Sequence, residues 1–212
     1  MTQTLAGNLP PPLFPAFLNL TTKTVALVGG GAVAAQKLSQ LLACGARVRL
    51  ISPLIRPQTQ ALLDTAPHLV EIRLRPFALA DLSGAHLLIT ATDDPQVNRE
   101  AVEAARRLGI WANSVDDPPF CDFFAASTVD RGPVRVAIST QGRFPGFSAA
   151  LRKTLEAWLP DAHLPDMERL FALRAEARRR IPSSEARAAA LKAICAELEA
   201  RYFGPLMQEA AP

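Results

Sequence analysis

The chain has 212 residues, 49% of them hydrophobic and 20% charged, with 23 Lys and Arg against 20 Asp and Glu and a formal charge of +3. That composition can bury one full core and a small second one, and its charge is too balanced to direct the chain onto nucleic acid. The amino terminus lacks a basic start followed by an apolar core, and no apolar run approaches the roughly 20 residues that cross a bilayer, so a cytoplasmic protein is expected, with neither membrane nor nucleic acid among its partners.

In chain order, Thr24 to Val28 is a short β-branched and apolar run that feeds into Gly29, Gly30 and Gly31, which reads as a strand and a tight turn. Ala34, Leu38, Leu41 and Leu42 then recur at helical spacing, and Gly45 stands where a left-handed helix cap belongs. From Ala46 to Ser52, Val48 and Leu50 alternate with Arg47 and Arg49 until Pro53 ends the strand. Leu69 to Leu74 reads as a strand and His86 to Thr92 as a buried one. A helix runs from Pro95 to Gly109, with Asp94 placed to accept its free first-turn amides and Gly109 to close it. Ile110 to Val115 is the next strand. Strands alternating with helices predict an α/β fold, a Rossmann-type doubly wound parallel sheet, because parallel crossovers need helices to cover the sheet faces.

Beyond the sheet, Phe123 to Val129 and Val134 to Ser139 read as an antiparallel hairpin whose edges need covering, which dimer formation through these strands would provide. From Phe147 onward, Leu151, Leu155 and Trp158 recur every three or four residues, and an alanine-rich helical tail follows, broken at Pro182, with Ser183 and Ser184 able to cap its last helix. The expected organisation is a nucleotide-binding domain over 1–116, dimerisation strands over 117–146 and a helical carboxyl-terminal domain over 147–212. Cys44, Cys121 and Cys195 are odd in number and far apart, fitting neither a disulfide nor a paired-ligand spacing, and each is expected as a small buried hydrophobe.

The candidate site lies at the carboxyl ends of the strands. Gly29, Gly31 and Ala34 form a dinucleotide-binding turn with an extra glycine at position 30, where backbone amides at a helix amino terminus can meet a pyrophosphate. The acidic residue that usually ends the second strand and binds the adenosine ribose is replaced by Ser52 and Pro53, and the preferred cofactor is NAD, held there by Ser52 and backbone groups. Thr90, Ala91 and Thr92, and then Asn113 to Asp117, would face the same crevice. Asp116, directly after a buried strand at the cofactor end of the sheet, is the candidate catalytic carboxylate, whereas Asp94 reads as a helix cap and Asp117 as a surface turn. His68, His86 and His163 are scattered and predict no metal site.

Taken together, "FPAFLNL", "VGGGAVAAQK", "ATDDPQVN", "NSVDDP" and "STVDRGPVRVAIST" resemble, in order and spacing over about Leu13 to Leu159, the amino-terminal module of siroheme synthases, the precorrin-2 dehydrogenases. The resemblance implies a homodimer that oxidises precorrin-2 to sirohydrochlorin with NAD, and in some members inserts ferrous ion to give siroheme. It carries the key catalytic carboxylate onto Asp116 and cofactor contacts onto Ala32, Val33, Pro53 and Leu54. The chain departs from the family at Thr140, where one relative has a phosphorylated serine, and at Gln141, Phe144 and Ala149 in the following loop, where Arg143 or Arg152 could supply a lost charge.

Because the implied substrate is rich in carboxylates, Arg169, Arg174, Arg178, Arg179 and Arg180 in the tail offer guanidinium groups suited to it, although each alone also reads as a solvated helix face. A nucleotide-sensing regulatory domain of an ion transporter is the alternative reading, since such domains share the glycine turn and an "ATDD"-like segment and bind NAD without turnover. They usually keep an acidic residue where Ser52 and Pro53 stand here.

Overall fold

The computed structural model describes residues 11–115, 117–159, 161, 164–198 and 200; Asp116 and His163 lie outside the described residues. The chain forms two compact units, Met1–Ala125 and Ala126–Pro212.

The first unit is built on strands β1 (Thr24–Val28), β2 (Arg47–Ile51), β3 (Val70–Arg73), β4 (Leu87–Thr90) and β5 (Trp111–Ser114), all parallel, in the order β3-β2-β1-β4-β5. Helix α1 (Ala32–Ala43) follows β1, α2 (Pro57–Thr65) follows β2, and α3 (Pro95–Arg107) joins β4 to β5. This is the expected α/β doubly wound sheet.

Period-two alternation divides the strand side chains between two cores. Val25, Leu27, Val48, Leu50, Leu87 and Ile89 pack with Ala34, Leu38 and Leu41 of α1 and Leu63 of α2. Ala26, Val28, Ile51, Leu88 and Ala112 pack with Ala101, Val102 and Ala105 of α3. Burial on both faces explains why the central strands β1 and β4 read as continuous apolar runs, while β2 keeps its alternation with Arg47 and Arg49.

Helix α2 is absent from the sequence reading. Its stretch holds only Thr59 and Leu63 as buried residues, too few to show a period over nine positions. The crossover from β3 to β4 also differs from a strand–helix–strand unit, because a 3₁₀ turn, Leu79–Leu82, takes the place of a covering helix. Leu82 plugs the second core, and the fully buried Asp81 fastens the turn to the edge strand. Its carboxylate accepts from Arg73 at 2.5 Å, from Arg75 at 2.6 Å and 2.9 Å, and from the Ala78 amide at 2.8 Å. Burial pushes the Asp81 carboxyl up, but Arg75, the Ala78 amide and Arg73 together outweigh it and leave the group below its ordinary range. Arg49 adds bonds to the Asp81 and Ser83 carbonyls and to Glu71, whose carboxyl is also lowered, first by Arg49 and then by Arg73.

The helix caps match expectation. Gly45 and Gly109 adopt φ of +68° and +70°, and the Asp94 carboxylate accepts from the Gln96 and Val97 amides. The cysteines do not. Cys44 and Cys195 are exposed, because each falls on the outer side of its helix end or face, and Cys121 is half-buried in a loop where its thiol is hydrogen-bonded.

The second unit pairs β6 (Ser127–Arg131) with β7 (Val134–Ile138) as an antiparallel hairpin, then continues as helices α4 (Pro145–Trp158), α5 (Leu164–Arg180) and α6 (Ser184–Leu198). Leu159, Met167 and Leu170 form its small core with Val134, Trp158 and Ile194. Arg131, at the end of β6, donates to the Leu159 and Glu156 carbonyls and so closes the carboxyl end of α4. The Ser183 hydroxyl accepts from the Ala186 amide, the cap expected for the last helix.

Candidate functional site at the carboxyl edge of the parallel sheet

Chain direction across the sheet reverses between β1 and β4: β1 leads to β2 on one side, while β4 leads to β5 on the other. The loops at the carboxyl ends of these two strands therefore diverge and leave a crevice, the place where parallel sheets bind ligands. The three glycines stand at its floor.

They are required for different reasons. Gly29 has φ +125°, and a Cβ there would lie 2.3 Å from the Ala91 carbonyl oxygen; at Gly30 it would lie 2.2 Å from the Leu54 carbonyl oxygen. These two glycines let the chain's own loops close against the turn. A Cβ on Gly31 would meet nothing within 4 Å. Gly31 is the N-cap of α1, no side chain caps the helix, and its first turn carries no acidic residue. The first-turn amides of α1 thus lack intrahelical acceptors and, with the helix dipole, offer a seat for an anion. Ala32 and Val33 lie on the exposed side of that first turn.

The turn is held from below by α2. The Thr59 hydroxyl, fully buried, lies 2.9 Å from the Gly30 carbonyl and 3.2 Å from that of Gly31, and the Arg56 amide donates to the Gly30 carbonyl at 3.0 Å. Nothing in the sequence marks Thr59, because its helix buries only two residues and shows no apolar period.

At the end of β2, Ser52 is buried and its hydroxyl donates to the Leu54 carbonyl at 2.7 Å, which shapes the turn that exposes Pro53 and Leu54. Its one proton is committed within the chain, so what this turn presents outward is backbone and the Leu54 side chain, 70% exposed. At the end of β4, the Ala91 amide donates to the Val28 carbonyl, and Thr92 and Asn98 lock together through three hydrogen bonds of 2.8 to 3.3 Å. Thr90 is fully buried opposite Ser114 of β5, and both hydroxyls lack a partner among the described residues. Asn113 turns its amide into the loop that follows β5, donating to the Phe123 carbonyl at 2.9 Å and to the Cys121 sulfur at 3.3 Å. The sequence-derived residues Gly29, Gly30, Gly31, Ala32, Val33, Ser52, Pro53, Leu54, Thr90, Ala91 and Thr92 therefore share one sheet edge, with Asn113 one strand over. Asp116 follows that strand in the chain.

Burial raises the Cys121 thiol above its ordinary range, so it behaves as a hydrogen-bonding group rather than a thiolate. No group of three or more His, Cys, Asp or Glu among the described residues could hold a metal ion, and no described helix is long and apolar enough to cross a membrane.

A doubly wound parallel sheet with an uncapped glycine turn at its switch point defines a dinucleotide-binding α/β protein. The chain belongs to an NAD(P)-binding family, whose model matches residues 16–127. It is 39% identical over 170 residues to siroheme synthase 2 of Aeromonas hydrophila and 40% identical over 174 residues to the siroheme synthase of Methylococcus capsulatus. Those alignments take in 80% and 82% of this chain but 35% and 36% of the relatives, so the chain spans about a third of the length of the curated proteins it matches. Its fold is shared with SirC, a precorrin-2 dehydrogenase, at a TM-score of 0.72 and 20% identity, covering 86% of this chain and 89% of that one.

Proposed function

We propose that this chain oxidises precorrin-2 to sirohydrochlorin with NAD and works as a homodimer in the cytoplasm. The observation that carries the reading is the open, uncapped turn at Gly31, in a chain four-fifths of which aligns with siroheme synthases. The turn suits the cofactor: a diphosphate is the kind of anion its free amides accept, and the space beside Gly31 lets it approach.

In this reading the amides of Gly31, Ala32 and Val33 hold the diphosphate. Ser52, Pro53 and Leu54 border the adenosine end through backbone groups, which is why no acidic residue is needed there. Thr90, Ala91, Thr92 and Asn113 flank the nicotinamide end. Bound NAD supplies the hydride acceptor. The protein orients the macrocycle against that face and takes the proton released with the hydride, the role we assign to Asp116. The basic side chains of the tail, Arg169, Arg174, Arg178, Arg179 and Arg180, suit a substrate rich in carboxylates. The strands within 117–146 would pair across the dimer, which covers the edges of a two-stranded hairpin. Ferrous ion is a second substrate in this reading, with Asp116 receiving the pyrrole protons that insertion displaces.

The test is anaerobic incubation of the purified chain with precorrin-2 and NAD, following NADH and the macrocycle spectrum, then addition of ferrous ion. NADH with sirohydrochlorin is the expected result, and Asp116→Ala should reduce turnover by about 10²–10⁴-fold with NAD binding kept. A chain that binds NAD and forms no NADH from precorrin-2 is a nucleotide sensor instead. A spectral shift on iron addition that needs the protein assigns the second activity to it; a shift at the same rate without protein removes that activity.

A further inference from the structure

The segment after β5 does not leave the sheet. β5 is an edge strand, and Asp122 returns to occupy its open side: the Asp122 amide donates to the Ala112 carbonyl at 2.7 Å, and its Oδ2 accepts from the Ala112 amide at 2.9 Å. One residue thus satisfies both backbone groups of Ala112, as a neighbouring strand would. Its other oxygen, Oδ1, accepts from Arg106 of α3, at 3.2 Å from Nε and 3.0 Å from Nη2.

Other ties run the same way. Asn113 holds the Phe123 carbonyl, and the Cys121 thiol donates to the Ser114 carbonyl at 3.1 Å. The Phe120 ring lies within cation–π distance of two guanidinium groups of α3, Arg99 at 5.6 Å and Arg106 at 5.8 Å. The amides that flank position 116 are both engaged, Val115 with the Thr90 carbonyl at 3.0 Å and Asp117 with the Ser114 carbonyl at 3.2 Å. Val115 and the residues from Asp117 to Phe123 are therefore anchored, at the start to β4 and β5 and at the end to β5 and α3. In the chain, Asp116 falls between Val115 and Asp117.

We infer that Asp122 is a positioning residue for the reaction: by tying the segment after β5 to Ala112 and Arg106 it holds the residues on either side of Asp116, Val115 and Asp117, in register with the sheet. The inference rests on the catalytic reading of Asp116 given above. Without the Asp122 side chain the segment would keep Phe120 and the backbone bond from residue 122 to the Ala112 carbonyl, but would lose the bond from the Ala112 amide and the pair from Arg106 that complete its register against β5. Misplacing a reacting group by about 1 Å can lower turnover by about 10²-fold without altering binding. The carboxylate is suited to this because a neutral acceptor could pair with the Ala112 amide but would bind the guanidinium less strongly.

The experiment compares Asp122→Ala, Asp122→Asn and Asp116→Ala in the full chain. It reads kcat and KM for precorrin-2 with NAD, NAD affinity by titration, thermal midpoint, and hydrogen exchange at individual amides. Asp122→Ala is expected to lower kcat about 10–100-fold while NAD affinity stays near wild type, and to speed exchange at Ala112, Val115 and Asp117 without affecting β1. Asp122→Asn keeps the shape and an acceptor oxygen, should fold where the alanine variant does not, and should recover most of kcat. Unchanged kcat in both Asp122 variants beside an inactive Asp116→Ala overturns the positioning role alone. Wild-type turnover in Asp116→Ala overturns the catalytic reading and the positioning role with it, and a loss of kcat that only tracks a lower thermal midpoint reduces Asp122 to a structural residue.

Discussion

The two units differ in how completely each buries itself. In Met1–Ala125, five strands and three helices enclose two cores in which side chains such as Leu27, Leu38, Leu50 and Leu88 are wholly removed from water. In Ala126–Pro212, Val129 of β6 is buried and a cluster of three residues, Leu159, Met167 and Leu170, makes up the rest of the buried apolar core among the described residues, while Phe144, Phe147 and Phe171 stay about half exposed or more. A parallel sheet covered on both faces is self-sufficient, whereas a two-stranded hairpin with helices around a few apolar contacts has little of its own to hold it. Binding of a small cofactor calls for the first kind of structure.

Substitutions can break or sharpen that contrast. The largest effect is expected at Gly29, where any side chain meets the Ala91 carbonyl in a left-handed backbone: Gly29→Ala should destabilise the first unit by at least about 3 kcal/mol, while Gly31→Ala should leave its thermal midpoint unchanged. Next, Leu27→Ala should lower stability by about 3–5 kcal/mol in denaturant unfolding, and Leu170→Ala by nearer 2 kcal/mol, because a small core can collapse into the space left behind. Equal losses would mean that the second unit is as tightly packed as the first.

Asp81→Ala follows, at about 2–4 kcal/mol, since it removes a buried carboxylate that accepts from two arginines and an amide. The pH dependence has a definite sign. A carboxyl lowered by folding adds stability that is complete above its unfolded pKa of about 3.9 and is lost as pH falls through the lower folded value, so the wild-type chain should lose this increment only in acid and the alanine variant should show a flatter acid limb. Smallest is Asp94→Ala, about 1 kcal/mol from a lost helix cap, read as a shift in thermal midpoint.

Much of the first unit was legible because its signals are local. The glycine turn, the Asp94 cap and the left-handed Gly45 and Gly109 each depend on neighbours in the chain, and the buried strands announce themselves as apolar runs. What was not legible depends on distance. Helix α2 buries only Thr59 and Leu63, and the need for its threonine appears only when the turn at Gly30 folds over it. The 3₁₀ crossover could not be read because Asp81 looks like a surface acid until Arg73 and Arg75 fold around it. Likewise, nothing local marks Asp122 as the group that completes an edge strand ten residues earlier. Of the three glycines in the dinucleotide-binding turn only the third is open; the first two make room for the protein itself.

The Thr59 hydroxyl, set between two successive carbonyls of the glycine turn, leaves that turn without slack. Its ordering entropy is lost once, when the chain folds, and not again at each encounter with a nucleotide. Such a pre-organised receptor ties recognition to folding: a change in α2 behind the turn, Thr59→Val for instance, should loosen both together, so nucleotide affinity becomes a gauge of how well the nine-residue helix beneath it is seated.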